Sequence, residues 1–214
     1  MSRTSHRTRI HDALRSRLLR GEVGPDMRLV DHAIAAEMGV SRMPVREALM
    51  QLVSEGYLES TSRGFALPNL APDRIAEVFV LRRLLEPYAI ACVARDRSER
   101  QMADLRAALV VTTRAGGDVA AFHRGAEAFR NSWLAAVGNA ELRQAIQRYS
   151  GQVQSVRMAT LPDPEARATI VRGLEELHSA LAAGDGPRAS DLMLRFIYDA
   201  EDTYRRCAAA GLIA

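Results

Sequence analysis

The sequence predicts a mainly α-helical protein in two parts: a small N-terminal domain of three helices and a β-hairpin, and a C-terminal antiparallel all-α helical bundle. Up to residue 67, short helical patterns alternate with turn residues and end in extended segments, whereas beyond residue 72 every pattern is helical. Between the two parts, Pro68 and Pro72 enclose a stretch without periodicity. We therefore expect domains at 1–67 and 73–214, joined by a linker at 68–72.

Composition excludes several classes of protein. Of the 214 residues, 48% are hydrophobic and 26% are charged, which is not the composition of a disordered chain. No apolar run approaches the roughly 18 residues of a membrane span, and no signal peptide is recognisable, so we expect a cytoplasmic protein that binds no membrane. The cysteines Cys92 and Cys207 lie far apart without metal-ligand spacing, which excludes a disulfide framework or a zinc ribbon.

The positive charge of the chain is unevenly distributed. All 29 basic residues are arginines, whose planar guanidinium can bind phosphate or guanine through two hydrogen bonds. Residues 1–20 contain six arginines and one acid, whereas nineteen arginines face eighteen acids from residue 66 onward. A basic N-terminal end suits a nucleic-acid backbone, and it is equally compatible with a solvated charged tail.

Turn and capping residues delimit the first two helices. Apolar residues at helical spacing predict a first helix that stops at Gly21, before a turn at Gly24-Pro25-Asp26. Asp31 is expected to cap a second helix that runs through Met38. Gly39 then offers the positive φ of a tight turn, so a helix-turn-helix arrangement is predicted.

A third helix and a hairpin complete the N-terminal domain. The helix is expected to be capped by Ser41 and to end at Gly56. The segments 57–61 and 65–67 predict two strands joined by Ser62-Arg63-Gly64. The apolar residues of the helix form an i, i+3, i+4, i+7, i+8 stripe, namely Val45, Ala48, Leu49, Leu52 and Val53.

Six helices are expected in the C-terminal part, separated by breaks at glycine or proline. Their lengths and short connections predict antiparallel packing, and no fixed-period repeat suggests a solenoid. The predicted helices cover residues 73–94, 98–114, 118–137, 139–158, 163–183 and 186–209.

The start of the third helix carries candidates for reading DNA. In a helix-turn-helix, the N-terminal end of the second helix of the motif brings side chains to base edges in the major groove. Arg42 and Arg46 lie there at i, i+4 spacing, so both point the same way. The alternative is that they are surface charges paired with Glu47 or Glu55.

The run Ser-Arg-Met-Pro-Val-Arg-Glu-Ala-Leu at 41–49 resembles the winged helix-turn-helix domain of GntR-family transcription regulators. The resemblance implies that Arg42 and Arg46 contact bases or adjoining phosphates of double-stranded DNA. It also implies that Arg63 and Gly64 form the tip of a wing, with Gly64 allowing a close approach to the minor groove.

Three further positions of this motif bear on DNA binding. Pro44 is acceptable in the first turn of the third helix, because amides there have no intrahelical partner to lose. His32 stands where many family members carry a phosphate-binding arginine, so that contact is expected to be weaker near neutral pH. Met43 stands where threonine is common, which would favour an apolar contact such as a thymine methyl group.

The C-terminal part resembles the all-α effector domain of the FadR subgroup of the same family. The resemblance is carried by Leu-Arg-Arg-Leu-Leu-Glu-Pro at 81–87, by Phe129 followed by Gly138-Asn139, and by Ala180 followed by Gly184-Asp185. Many members of that subgroup hold a metal ion with one Asp and three His, and the ion helps to bind a carboxylate effector.

The metal-ligand positions implied by this resemblance carry Ala126, Arg130, Leu174 and Phe196, and none is a usual ligand. We therefore expect no metal cofactor. Arg130 could bind an effector carboxylate directly, while Leu174 and Phe196 would favour an acyl or aromatic effector. Alternatively, Arg130 extends to solvent or pairs with Glu127.

Two further candidates lie on the same helices. Arg82 falls within an apolar stripe, so it faces the pocket or pairs with Glu86 at i, i+4 spacing. His123, Glu127 and His178 lie about one helical turn from the inherited metal positions, which makes them a candidate for a displaced metal site.

Together these features predict a DNA-binding transcriptional regulator, expected to be a repressor, that binds an operator as a homodimer and senses a small organic effector. A single recognition helix reads only a few base pairs, so two related half-sites are needed. One alternative is a regulator whose sensor domain no longer binds an effector. Another is an enzyme with an appended DNA-binding domain, but no nucleophile motif or phosphate loop supports catalytic activity.

Overall fold

The computed structural model describes residues 3–19, 22–24, 27–68 and 72–211. The chain divides into two compact units, one formed by Met1–Leu70 with Gln147–Val153 and the other by Ala71–Ile146 with Gln154–Ala214. The described part is mainly helical and contains one two-stranded antiparallel sheet, which confirms the predicted fold class. Several predicted features lie outside the described residues: the helix stop at Gly21, the turn residues Pro25 and Asp26, and residues 69–71 of the linker.

The first unit is organised around its third helix. It contains α1 (Arg3–Leu19), α2 (Asp31–Met38), α3 (Arg42–Ser54), β1 (Glu59–Thr61) and β2 (Gly64–Ala66). Both α1 and α2 pack against α3. The predicted apolar stripe of α3 lies at the centre of this core, where Val45, Ala48, Leu49 and Leu52 are fully buried and Val53 packs against them half-buried.

The turn between α2 and α3 is set by glycine. Gly39 ends α2 with a φ of 65°, a left-handed conformation that residues with a side chain adopt at a cost. Ser41 occupies the N-cap position of α3, as predicted, but its side chain makes no capping hydrogen bond. The prediction that Asp31 caps α2 is wrong, because Val30 occupies the N-cap position and Asp31 is the first helical residue. Its carboxylate accepts hydrogen bonds from Arg42 instead.

The first hairpin strand is shorter than predicted, and the second is shifted by one residue toward the N-terminus. Tyr57 and Leu58 precede β1 because their amides donate to the carbonyl of Leu52, at 2.9 Å and 3.4 Å, and so close the end of α3. On the other strand, Leu67 lies outside β2 and Gly64 lies inside it. The hairpin is therefore compact, with Thr61 opposite Gly64.

Gly64 is required by the packing of the hairpin itself. Its φ is 122°, and a Cβ atom at this position would lie 2.6 Å from the carbonyl oxygen of Leu29. Leu29 and Phe65 exchange two backbone hydrogen bonds of 2.7 Å and 2.8 Å next to it. A side chain at residue 64 would push the wing away from this bridge.

The second unit is helical throughout its described part. Its helix α4 packs against α10, α5 packs against α6, and α9 contacts both α5 and α10. Large apolar side chains such as Phe79, Ile90, Leu105, Phe129 and Leu177 are fully buried between these helices. The helices that follow the hairpin are α4 (Pro72–Asp96), α5 (Glu99–Arg114), α6 (Val119–Ala135), α7 (Ala140–Gln147), α8 (Ser150–Thr160), α9 (Pro164–Ala183) and α10 (Gly186–Ala209).

One predicted helix is wrong in its extent. The segment 139–158 was expected to be continuous, but a turn at Arg148 and Tyr149 divides it into α7 and α8. Ser150 and Gly151, which have low helix propensity, follow that turn directly. None of the described helices is long and apolar enough to cross a membrane.

Candidate functional site

A group of exposed side chains lies at the start of α3. Arg42 is its first residue and Arg46 follows one turn later, and their side chains are 66% and 62% exposed. Met43 is also exposed, and Pro44 is half-buried in the first turn. Because the apolar stripe of α3 holds the opposite side of the helix in the core, these side chains project into solvent.

Asp31 connects the two arginines. Nη2 of Arg42 donates to both carboxylate oxygens of Asp31, at 3.1 Å and 3.4 Å, and Nη1 of Arg46 lies 3.5 Å from Oδ2. Burial raises the pKa of Asp31, but the hydrogen bond and charge of Arg42, with further help from Arg46, lower that pKa below its usual value. A single carboxylate therefore orients both guanidinium groups.

The expected alternative, pairing of these arginines with Glu47 or Glu55, is wrong. Glu55 lies at the other end of α3, where Nε2 of His11 contacts its Oε2 at 2.8 Å and Gln51 donates to its Oε1. The actual partner, Asp31, comes from α2.

The remaining residues predicted to touch DNA lie on α2 and on the wing. His32 is exposed on α2, and Arg63 is exposed at the hairpin tip. The tip is braced by Thr61, whose hydroxyl donates to the carbonyl of Gly64 (2.9 Å) and accepts from the amide of Arg63 (3.3 Å). Gly64 is only partly exposed. The structure thus gives Arg63 a defined backbone position with a free side chain.

A cavity lies inside the second unit, and about 340 Å³ of empty space, part of it open to solvent, lies among its lining side chains. It contains every residue predicted to contact an effector, although these residues come from α4, α6, α9 and α10. The lining residues are Arg82, Glu86, Ala126, Phe129, Arg130, Trp133, Arg157, Ile170, Leu174, Leu177, Met193 and Phe196.

Two buried arginines share one buried carboxylate in this cavity. Arg130 donates through Nη1 to Oε2 of Glu86 at 2.9 Å and through Nη2 to Oε1 at 3.0 Å, which is a bidentate pair. Arg82 donates through Nε to the same Oε1 at 3.0 Å. The side chains of Arg82, Glu86 and Arg130 are 6%, 1% and 9% exposed. We call these three residues the Glu86 cluster.

The environment keeps Glu86 ionised. Burial raises the pKa of this carboxyl, but the charges and hydrogen bonds of Arg130 and Arg82 outweigh burial and lower the pKa to about 2. Burial also lowers the pKa of the Arg82 guanidinium, against the opposite effect of Glu86. Since arginine remains protonated in proteins, the Glu86 cluster contains two positive charges and one negative charge at neutral pH.

Arg130 retains one unused donor. Its guanidinium lies over the ring of Trp133, with 5.4 Å between Cζ and the ring centroid. Its Nε is buried and has no hydrogen-bond partner among the described residues. Of the two expected alternatives for Arg130, the pair with Glu127 is therefore wrong, since Glu86 is the partner. Arg82 both pairs with Glu86 and lines the cavity.

The candidate for a displaced metal site is not assembled. In the described ranges of the chain, no group of three His, Cys, Asp or Glu side chains is arranged to hold a metal ion. His123 is buried and accepts a hydrogen bond from the side-chain amide of Gln154. Burial, followed by the charges of Arg157 and Arg124, lowers the pKa of His123 to about 3. His178 is half-buried on α9, and burial lowers its pKa as well.

Two domain families match this sequence. Residues 6–65 match the gntR family of bacterial regulatory proteins, and residues 77–199, more than half of the chain, match the FCD domain. The chain belongs to the GntR family of transcriptional regulators. Within this family it is a DNA-binding transcriptional regulator that carries an FCD effector-binding domain.

Relatives of this GntR regulator are named for transcriptional control. An HTH-type transcriptional regulator in an unstable DNA locus of Streptomyces ambofaciens is 29% identical over 93% of this chain and 87% of its own length. The gluconate operon transcriptional repressor of Bacillus subtilis is 34% identical, but it matches only 49% of this chain and 43% of its own length. For that second relative the comparison is limited to part of each protein.

Solved structures of the family share the fold. Escherichia coli McbR superposes with a TM-score of 0.75 at 23% identity, over 97% of this chain and 99% of its own. A GntR-family regulator from Pseudomonas syringae gives a TM-score of 0.52 at 20% identity, over 99% of this chain and 90% of its own.

The residues of this GntR regulator do not fit the metal site of the FadR subgroup. Ala126, Leu174 and Phe196 offer only carbon atoms to the cavity, and Arg130 contributes a cation. A divalent ion beside two guanidinium groups would be repelled, and the one nearby carboxylate is already shared by both.

Sequence reasoning missed three features of the cavity. Glu86 was considered only as a partner of Arg82, and the contributions of Trp133 and Arg157 were not predicted. Trp133 follows Arg130 by three residues, so helical spacing alone could have put both on one face. The closeness of Arg157 had no such local indication, because it depends on how α8 packs.

Proposed function

We propose that this GntR regulator is a cytoplasmic, homodimeric repressor without enzymatic activity. In our proposal the first turns of α3 bind an operator, and the cavity of the helical unit binds a small organic acid. The observation that carries the effector half of the proposal is the Glu86 cluster, a buried group with excess positive charge that lines the cavity of the helical unit.

The DNA-binding role rests on the exposed side chains of α3. Arg42 and Arg46 would donate to guanine or phosphate oxygens in the major groove, and Met43 between them offers an apolar contact for a thymine methyl group. His32 and Arg63 are exposed and would contact phosphates on either side, with Gly64 next to Arg63 at the tip of the wing.

Dimerisation and repression are supported by general and comparative arguments. A recognition helix of 13 residues reads only a few base pairs, so a dimer that reads two half-sites gains the specificity that one unit lacks. A relative from Bacillus subtilis is named as the repressor of a gluconate operon, and one from Paenarthrobacter nicotinovorans bears the name "probable D-xylose utilization operon transcriptional repressor".

The chemistry of the cavity favours an organic acid with an apolar body. The arginines supply cationic donors, and α9 and α10 contribute the apolar side chains of Ile170, Leu174, Leu177, Met193 and Phe196. The ring of Phe196 lies directly over Gly173, where any Cβ would meet it at 2.2 Å. An acyl or aromatic carboxylate combines the two properties that this lining selects.

The test measures DNA binding and ligand binding in the same preparation. Fluorescence anisotropy with promoter DNA of the regulator's own gene measures the operator affinity, with and without a panel of carboxylates such as butyrate, hexanoate and benzoate. Trp133, the single tryptophan of the chain, lines the cavity, so its emission reports ligand entry. We expect an effective carboxylate to change the Trp133 emission and to weaken operator binding by about tenfold or more.

Two variants give this test its control. Arg130→Ala is expected to abolish the response to the carboxylate while DNA binding persists. Arg172→Ala removes an exposed arginine of α9 that contacts Thr169 and does not line the cavity, so its response is expected to match that of the wild type. A promoter that the protein does not bind at low ionic strength would refute the DNA-binding role.

A second candidate function is a regulator that needs no effector. One observation favours it: both terminal nitrogens of Arg130 already donate to the carboxylate of Glu86, so the arginine has an anionic partner without a ligand. In that case no carboxylate of the panel would change the Trp133 emission or the operator affinity.

A further inference from the structure

The charges of the Glu86 cluster do not balance. Arg82 and Arg130 contribute two positive charges, and Glu86 contributes one negative charge. All three side chains are at least nine-tenths buried, so water screens this excess only weakly. Burying an unbalanced charge is costly, and one added negative charge would neutralise the cluster.

The cluster also retains an unused hydrogen-bond donor. Both terminal nitrogens of Arg130 and Nε of Arg82 are engaged by Glu86, whereas Nε of Arg130 is buried without a partner among the described residues. The cluster lines the cavity, so a ligand carboxylate that enters can approach the guanidinium groups. The ligand would then join Glu86 on the arginines rather than replace it.

A second negative charge on the ligand would find a poorer environment. The lining residues that α9 and α10 contribute are all apolar. Arg157 also lines the cavity, but it is half-buried and its Nη1 lies 3.5 Å from Oε1 of Gln154. Its charge is therefore partly solvated, and it adds less to the buried excess than Arg82 or Arg130 does.

We propose that Glu86 acts as a built-in carboxylate of the cavity, which makes the cavity selective for ligands with a single carboxylate over dicarboxylates of the same length. This inference rests on the proposed function, since it assumes that the cavity binds an organic acid. Glu86 is thus a specificity-determining residue. It neutralises one of the two positive charges of the cluster, so a second ligand carboxylate finds no positive charge left to neutralise it.

The experiment compares matched ligand pairs. Isothermal titration calorimetry and Trp133 emission measure the affinities for butyrate against succinate and for hexanoate against adipate. We expect the wild type to bind the monocarboxylate of each pair at least about tenfold more tightly. Glu86→Gln removes the negative charge of the cluster while keeping the side-chain size, so the net positive charge increases by one. We expect this variant to shift the affinity ratio toward the dicarboxylate by about tenfold or more.

A second variant changes the charge in the opposite direction. Arg82→Gln leaves Arg130 and Glu86 as a neutral pair, so we expect the affinity for the monocarboxylate to fall by about tenfold. Arg172→Ala, outside the cavity, is the control and should leave all four affinities unchanged. Helix content and thermal melting by circular dichroism establish that each variant is folded.

The outcomes separate this inference from the function beneath it. If no monocarboxylate or dicarboxylate binds the wild type, the proposed effector function fails. If the wild type binds succinate or adipate more tightly than its partner, or if Glu86→Gln leaves the ratio unchanged, the role of Glu86 is refuted while the effector function stands. Should Glu86→Gln fail to fold, the role of Glu86 is still tested by the ratio of monocarboxylate to dicarboxylate affinity in the wild type and by the affinities of Arg82→Gln.

Discussion

Two regions of this protein contain the same chemical group, one carboxylate shared by two arginines, in different surroundings. At the start of α3, Asp31 holds Arg42 and Arg46, whose side chains are 66% and 62% exposed. In the cavity, Glu86 holds Arg82 and Arg130, whose side chains are 6% and 9% exposed.

The difference in exposure determines what each group can do. Exposed arginines exchange one partner for another at little cost, because water stabilises them in between. Those on α3 can therefore leave Asp31 for DNA. Buried arginines lose their only compensation when the carboxylate is removed. The Glu86 cluster must consequently stay intact. It can bind an additional anion, but it cannot lose the Glu86 carboxylate without destabilising the fold.

The sharpest test of this comparison is removal of each carboxylate. We expect Glu86→Ala to lower the free energy of unfolding by about 3–5 kcal/mol, because it leaves two buried guanidinium groups without a counter-charge. Asp31→Ala should cost much less, since its partners are solvated. Urea unfolding followed by circular dichroism and by Trp133 emission measures both. Equal losses for the two variants would contradict the distinction.

Acid titration of the same carboxylate is a second test. The pKa of Glu86 is about 2 in the folded protein, below its ordinary value of 4.5, so its stabilising contribution is complete above pH 4.5 and is lost as the pH falls toward 2. The variant Glu86→Gln lacks this titrating carboxyl group. We expect the difference in Tm between wild type and Glu86→Gln to narrow over this interval. A difference that stays constant would indicate that the charge of Glu86 does not stabilise the fold.

On the DNA-binding side, the largest expected effect is that of Arg46→Ala. We expect it to weaken operator binding by about 1–3 kcal/mol and to relax sequence specificity, because a donor to a base edge is lost. Anisotropy titrations with the operator and with mutated operators measure this effect. Arg74→Ala, which removes an exposed arginine of α4, is the matched control. Unchanged affinity in Arg46→Ala would remove this residue from the DNA contacts.

A smaller and opposite effect is expected for Asp31→Asn. Without the carboxylate, Arg42 and Arg46 lose their common anchor and the surface loses a charge that repels phosphate. We expect binding to non-specific DNA to tighten by less than about tenfold, the salt dependence to steepen by about one unit, and the ratio of specific to non-specific affinity to fall. The control is Glu47→Gln, which removes an exposed acid of α3 that does not pair with Arg42 or Arg46 through Asp31. An unchanged ratio would mean that Asp31 does not orient the arginines.

The sequence predicted the elements that depend on local spacing. The stripe of α3 was predicted from its i, i+3, i+4 pattern, and the exposure of Arg42 and Arg46 follows from it. Four effector residues are predicted from a family resemblance and Arg82 from an apolar helical stripe, and the structure brings all five to one cavity, although their role in binding stays a prediction.

Partners that are distant in sequence could not be predicted. Glu86 and Arg130 are 44 residues apart, and their pairing depends on how α4 packs with α6. Asp31 was interpreted as a helix cap because aspartate is common there, whereas the structure uses its carboxylate for an arginine 11 residues away. Likewise, residues 139–158 have a helical pattern throughout, and only tertiary packing could reveal the turn at Arg148 and Tyr149.

In the proposed function, the guanidinium of Arg130 allows the cavity to bind its effector without a bound metal ion. An anchor made of polypeptide is present as soon as α4 and α6 pack, so it requires no uptake of an ion from the surroundings. If Arg130 anchors the effector as proposed, the readiness of the cavity would be independent of the supply of trace elements in the cell. Treatment with a chelator would leave its positive charge unchanged.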